Sequence, residues 1–209
     1  MTEDEWLTCD HPGFMLDALY DPVRVSYRKL RLFACACCRL IPGFWDSAPD
    51  REQIEFAELD ADGLIDPDTP FPDEEMWDIR WYRRDEWNSA TRAIASHRDE
   101  LWDRHKLHDK PEDERARILE EGEMALANLL REVLGNPFRP VSVDPAWLTS
   151  TVVTLANGIY EQRAFDRMPI LADALQDAGC ENADILDHCR GSGPHVRGCW
   201  VVDLLLGKS

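Results

Sequence analysis

The chain contains no apolar run approaching the roughly 20 residues that span a bilayer. It carries no Gly-x-Ser-x-Gly, no His-Glu-x-x-His, no dinucleotide fingerprint and no phosphate loop with its lysine. Its carboxylates do not fall at calcium-loop spacing. Basic charge is scarce as well: 23 Lys and Arg stand against 41 Asp and Glu, a formal net of −18. Phosphate neutralisation needs a basic surface, so nucleic acid is not an expected partner. The acidic start, Met1-Thr-Glu-Asp-Glu-Trp, lacks the basic and apolar regions of a signal peptide. A cytoplasmic protein without membrane association is the expectation. Seven cysteines make an odd number, and Cys35, Cys37 and Cys38 crowd one turn, a poor disulfide framework. Free thiols follow.

What is present reads as helix. With 209 residues, 44% hydrophobic and 31% charged, the chain is long enough for a sizeable core. Pro12 to Tyr20 forms a short amphipathic stretch interrupted by Asp21-Pro22. Ser26 caps a helix from Tyr27 to Ile41, stopped by Pro42-Gly43. Apolar residues surround that helix, so it is expected to be buried. Arg24, Arg28, Lys29, Arg31 and Arg39 lie in an acid-free stretch between Pro22 and Trp45 and are expected to pair with the chain's acidic middle.

That middle, Asp46 to Glu123, holds 25 acidic and 11 basic residues. Asp50 to Leu59 reads as helix. A longer one, about Glu74 to His105, carries Trp77, Trp81, Trp87 and Trp102. Trp77, Trp81 and Trp102 fall near one stripe, either packing or a surface that binds a protein partner. Pro111, followed by Glu112, Asp113 and Glu114, opens a further helix that complements its own dipole, and Gly135-Asn136-Pro137 closes it. Short helices follow: Thr151 to Ala164, Ile170 to Ala178, Ala183 to Cys189 capped by Asn182, and His195 to Leu206 opened by Pro194. No strand candidate has a partner of similar strength. The expected fold is all-α, an irregular multi-helix bundle with one long Trp-rich acidic helix and short C-terminal helices. Residues 1–45 are expected to share a core with 136–209, and 46–135 to form an acidic helical segment.

Two cysteine clusters carry the candidate chemistry. Cys35-x-x-Cys38 is an i,i+3 pair and His195-x-x-x-Cys199 an i,i+4 pair, each on one helix face. Together they would make a Cys3His set for a structural zinc, with Cys180, Cys189 and His188 as substitute ligands; the alternative is that free cysteines simply pack as small hydrophobes, with no cofactor. A second option makes Cys189 or Cys199 a nucleophile with His188 or His195 as base, in a cysteine-dependent enzyme. That needs a lowered thiol pKa, and no nucleophile signature surrounds either residue. A third places an anion at Gly191-Ser-Gly-Pro-His195, with Arg190, His195 and Arg197 nearby.

Several segments resemble an uncharacterised family of bacterial hypothetical proteins. They include Arg31-Leu-Phe-Ala-Cys-Ala-Cys-Cys-Arg39, Leu171-Ala-Asp-Ala-Leu175, Asp177-Ala-Gly-Cys180, His195-Val-Arg-Gly-Cys-Trp200 and Asp203-Leu-Leu-Leu-Gly-Lys208. The resemblance covers both ends well and the middle poorly, and it implies no activity and no residue roles. The functional expectation is a non-enzymatic protein-binding or regulatory helical module, with a zinc-stabilised domain or a cysteine-dependent enzyme as alternatives.

Overall fold

A computed structural model describes residues 1–19, 25–40, 48–66, 68–69 and 86–208. Among them the fold is all-α, with helices α1 (Glu3–Thr8), α2 (Pro12–Asp17), α3 (Tyr27–Leu40), α4 (Ala48–Ala61), α5 (Glu86–Arg104), α6 (Glu112–Leu134), α7 (Ser150–Gln162), α8 (Met168–Asp177), α9 (Ala183–Arg190) and α10 (Trp200–Leu206). No helix among the described residues is long and apolar enough to cross a membrane. The chain divides into two compact units, Met1–Arg131 and Glu132–Ser209, so the boundary falls within α6.

In the first unit, α1 begins with a capping box: the Thr2 side chain accepts from the Glu5 amide, and the Glu5 carboxylate accepts from the Thr2 amide at 2.7 Å. Arg131 closes its other end, donating to the Trp6 carbonyl at 3.0 and 2.8 Å and to the Cys9 carbonyl as well. A cation on the last carbonyls suits the negative end of a helix. Trp6, fully buried, fixes the apolar side of this turn.

The helix α3 is buried along most of its length, and its neighbours are α4 and α5. Ser26 caps it through the Lys29 amide. The grouping of residues 1–45 with 136–209 is not the division seen, because α3 finds its apolar cover in the middle of the chain. Cys35 packs against Ile54 and Ala57 of α4, with Cys38 at the edge.

Charge is matched along the same seam. Arg28 pairs with Asp62 at 2.8 Å, Arg31 with Asp60 at 3.0 Å, and Arg39 with Glu58 through two bonds of 2.7 and 2.9 Å. The Glu58 side chain is 2% exposed and that of Arg39 21%. An isolated carboxylate there would be expensive, so the bidentate guanidinium is what permits its burial. Half-removing the pair should hurt more than removing it whole. Glu58→Ala is expected to cost about 3–5 kcal/mol in urea unfolding, while Arg39→Met with Glu58→Leu returns most of that loss.

His97 of α5 is also buried, at 6% exposure, and its Nδ1 has no hydrogen-bond partner among the described residues. Burial pushes its pKa below the ordinary value, against a smaller upward pull from Glu100. The folded state therefore binds fewer protons here than the unfolded one, and stability falls as pH drops below about 6.5, levelling off under the folded pKa. Urea unfolding between about pH 7 and 5 should show a smaller acid loss in His97→Phe than in the parent chain.

The second unit has a continuous core. Val152, Ala156, Ile159, Leu171, Leu175, Ile185, Cys189, Cys199, Val202 and Leu205 are all buried in it. Its helices α7 to α10 pack in sequence order, with α10 returning to α7. Two of their starts are held by side-chain caps: Thr149 accepts from the Val152 amide, and Asn182, as expected, from the Ile185 amide, while α8 begins at Met168, ahead of the expected Ile170. The last helix differs. Gly193 and Gly198 adopt φ of +83° and +94°, which no right-handed helix contains, so α10 begins only at Trp200. Residues 191–199 are a loop.

Candidate metal centre

The second unit brings together four side chains able to hold a metal: Glu132, His188, His195 and Cys199. Each comes from a different local structure. Glu132 sits in the last turn of α6, which ends at Gly135 in the left-handed region, φ +68°. His188 stands in the last turn of α9. His195 is carried by the 191–199 loop, and Cys199 is the residue that opens α10.

Their ligand atoms all lie within 4.8 Å of one another. Glu132 Oε2 is 3.2 Å from His188 Nε2, and both Glu132 oxygens are 3.2 Å from His195 Nδ1. His188 Nε2 is 3.2 Å from Cys199 Sγ. Tetrahedral zinc, with N and O ligands at about 2.0–2.1 Å and S at about 2.3 Å, would set ligand separations of about 3.3–3.6 Å. Three edges of the polyhedron are thus close to size. The site is enclosed: the side chains of Glu132, His188 and His195 are 4%, 17% and 7% exposed, and Cys199 is fully buried.

The hydrogen bonds around the group define its protons. His195 Nε2 faces the Gly191 carbonyl at 3.3 Å, which only accepts, so Nε2 carries a proton. Its Nδ1 then meets the Glu132 carboxylate, and the contact is favourable if Nδ1 is also protonated or if a cation lies between them. Burial opposes charge on His195, yet the Glu132 carboxylate and the Gly191 carbonyl outweigh it and the pKa moves up. His188 behaves oppositely. Burial lowers its pKa, and its Nδ1 accepts from the Trp200 indole N–H at 3.1 Å. The neutral ring therefore holds its proton on Nε2, facing Glu132 and Cys199. Burial first, and the Glu132 charge second, push the Cys199 thiol well up. The same causes push Cys189 up to about 12. Both shifts run opposite to the lowered pKa that a nucleophilic cysteine requires.

The sequence-derived candidates distribute as follows. His195 and Cys199 meet, on a loop rather than on a shared helix face. Cys35 and Cys38 belong to the first unit, in the seam with α4, and are not members of the group. Glu132 and His188 take their places. Of the residues of the anion reading, Arg190 reaches Gln176 at 2.6 Å and Asp173 at 3.3 Å, Arg197 lies 4.7 Å over the Tyr160 ring, and His195 faces Glu132. The last helix starts at Trp200 and not at Pro194, so the glycine turn does not open a helix. Trp102 is 38% exposed on α5, and Trp77 and Trp81 lie outside the described residues.

Glu132 escaped the sequence reading because it is one acid among many on an amphipathic helix. A signal existed: it follows Arg131 on the otherwise apolar closing turn of α6, where a carboxylate is out of place.

No family model, no curated protein and no solved structure matches this chain.

The loop and the end of α6 meet at Trp200. A methyl group added at Gly135 would lie 3.0 Å from Trp200 Cγ, on a residue that also needs positive φ. Gly135→Ala is expected to destabilise the chain by about 1–2 kcal/mol, read as a lowered midpoint in urea.

Proposed function

We propose that residues 132–209 form a zinc-stabilised helical domain, and that the protein serves as a binding or regulatory module rather than through chemistry at this centre. The observation that carries the reading is the convergence of Glu132, His188, His195 and Cys199 on a space the size of one ion. Nitrogen, oxygen and sulfur donors in this mixture suit zinc better than the hard cations. Four protein ligands leave no open position, the pattern of structural rather than catalytic sites. Charge agrees too: a dication with one carboxylate and one thiolate is neutral, which a buried site demands. For His195 the Gly191 carbonyl already holds the far ring proton, the usual outer-shell support for a metal-bound imidazole.

One partner works against the ion. When Nε2 of His188 binds a metal, the ring proton must sit on Nδ1, where the Trp200 indole N–H also points. Two donors then face each other, and the indole has to turn away.

Metal analysis of the purified chain should find about one zinc, retained through gel filtration and removed by a chelator with loss of thermal stability. Cys199→Ser and Glu132→Gln should bind it at least about tenfold more weakly, whereas Cys38→Ser should bind it unchanged. Zinc-free preparations of the parent, or equal loss in Cys38→Ser, would overturn the assignment. Zinc addition to the stripped protein should alter tryptophan emission, and Trp200→Phe should abolish that response without weakening zinc affinity. A supportive outer-shell residue would behave in the opposite way.

A further inference from the structure

The first unit holds a cavity of about 380 Å³ between α2, α5 and α6. Its walls are mostly apolar, from Pro12, Phe14, Ile94, Leu101, Leu119 and Leu126. Pockets that bind small organic molecules have this composition, together with a few placed polar groups. Here the placed group is His97, which lines the cavity, is 6% exposed and has no partner for Nδ1 among the described residues. Buried polar atoms are almost always satisfied, so an orphan beside a void asks for a ligand atom.

The charges at the cavity restrict what that ligand can be. Glu123 is held by His11 at 2.5 Å, and Asp17 and Arg98 complete the ionisable lining, a balance that gives an anion no net attraction. Burial keeps the His97 ring neutral, which offers no counter-charge to a carboxylate and no cause to admit a cation. A neutral imidazole nitrogen presents either a lone pair or an N–H, depending on tautomer. A hydroxyl satisfies both. An apolar void of about 150 Å³ accommodates benzene, so this one has room for a two-ring body.

We infer that the cavity binds a small neutral hydroxy-aromatic molecule, with its rings against the apolar walls and its hydroxyl on Nδ1 of His97. Hydrophobicity alone would rank naphthalene above 2-naphthol, since the hydroxyl must leave water. A hydrogen bond to His97 reverses that order, and the pair of probes isolates it.

The test is calorimetric or fluorescence titration of the whole chain with 2-naphthol and with naphthalene. The expected result is a Kd for 2-naphthol about tenfold below that for naphthalene. His97→Phe should remove the preference while leaving naphthalene bound. Ala95 lines the same cavity on the exposed side of α5, so Ala95→Trp should fill the mouth without disturbing the core and weaken both probes by at least about tenfold. The inference is overturned by equal or reversed affinities in the parent chain, by absence of binding, or by binding that Ala95→Trp leaves intact. Loss of zinc affects none of these readings, so the two proposals stand or fall separately.

Discussion

Burying the carboxylate of Glu132 sets a condition that its surroundings have to meet. With 4% of its side chain exposed, it has exchanged water for two imidazoles, a thiol and the Val196 amide at 3.4 Å. In the metal-free state the His188 Nε2–H and the Val196 amide face the carboxylate, which in turn draws the His195 pKa up; in the proposed state the condition is met by a dication. Both solutions need the 191–199 loop to bring His195 back over the end of α6. The positive φ of Gly193 and Gly198, the late start of α10 and the seat of Trp200 on Gly135 all serve that return. The buried acid and the irregular loop are two descriptions of one requirement.

The α3–α4 seam solves a similar problem by different means. There the acids were placed opposite arginines rather than histidines, so no pH near neutrality releases them. The net charge of −18 is therefore not spread evenly in its effects. Asp60, Asp62 and Glu58 are spoken for within the fold, and so are Arg28, Arg31 and Arg39; Arg24 lies outside the described residues.

Much of this was legible in the residues. Ser26, Thr149 and Asn182 announce helix starts, and Gly135 announces an end, because capping is a local bargain between one side chain and the nearest amides. The all-round apolar character of Tyr27 to Leu40 announces burial. What could not be read is pairing at a distance. Cys35 and Cys38 are spaced as well for a metal as His195 and Cys199, and nothing local reveals that α4 covers them. His188 and its neighbour Cys189 point to different sides of α9, which weakens them as a base and nucleophile pair; the sulfur that His188 meets is eleven residues on, across a loop whose path depends on two glycines. The helix expected from His195 failed at Gly198 for the same reason.

The seven free thiols have a further consequence. Cys35 and Cys37 are buried in the first unit, and Cys180, Cys189 and Cys199 in the second, while Cys9 and Cys38 are partly accessible. A buried sulfur reacts only when its surroundings open. Each unit thus carries its own chemical clock, and the order in which alkylation reaches the five protected sulfurs records which half of the chain breathes first.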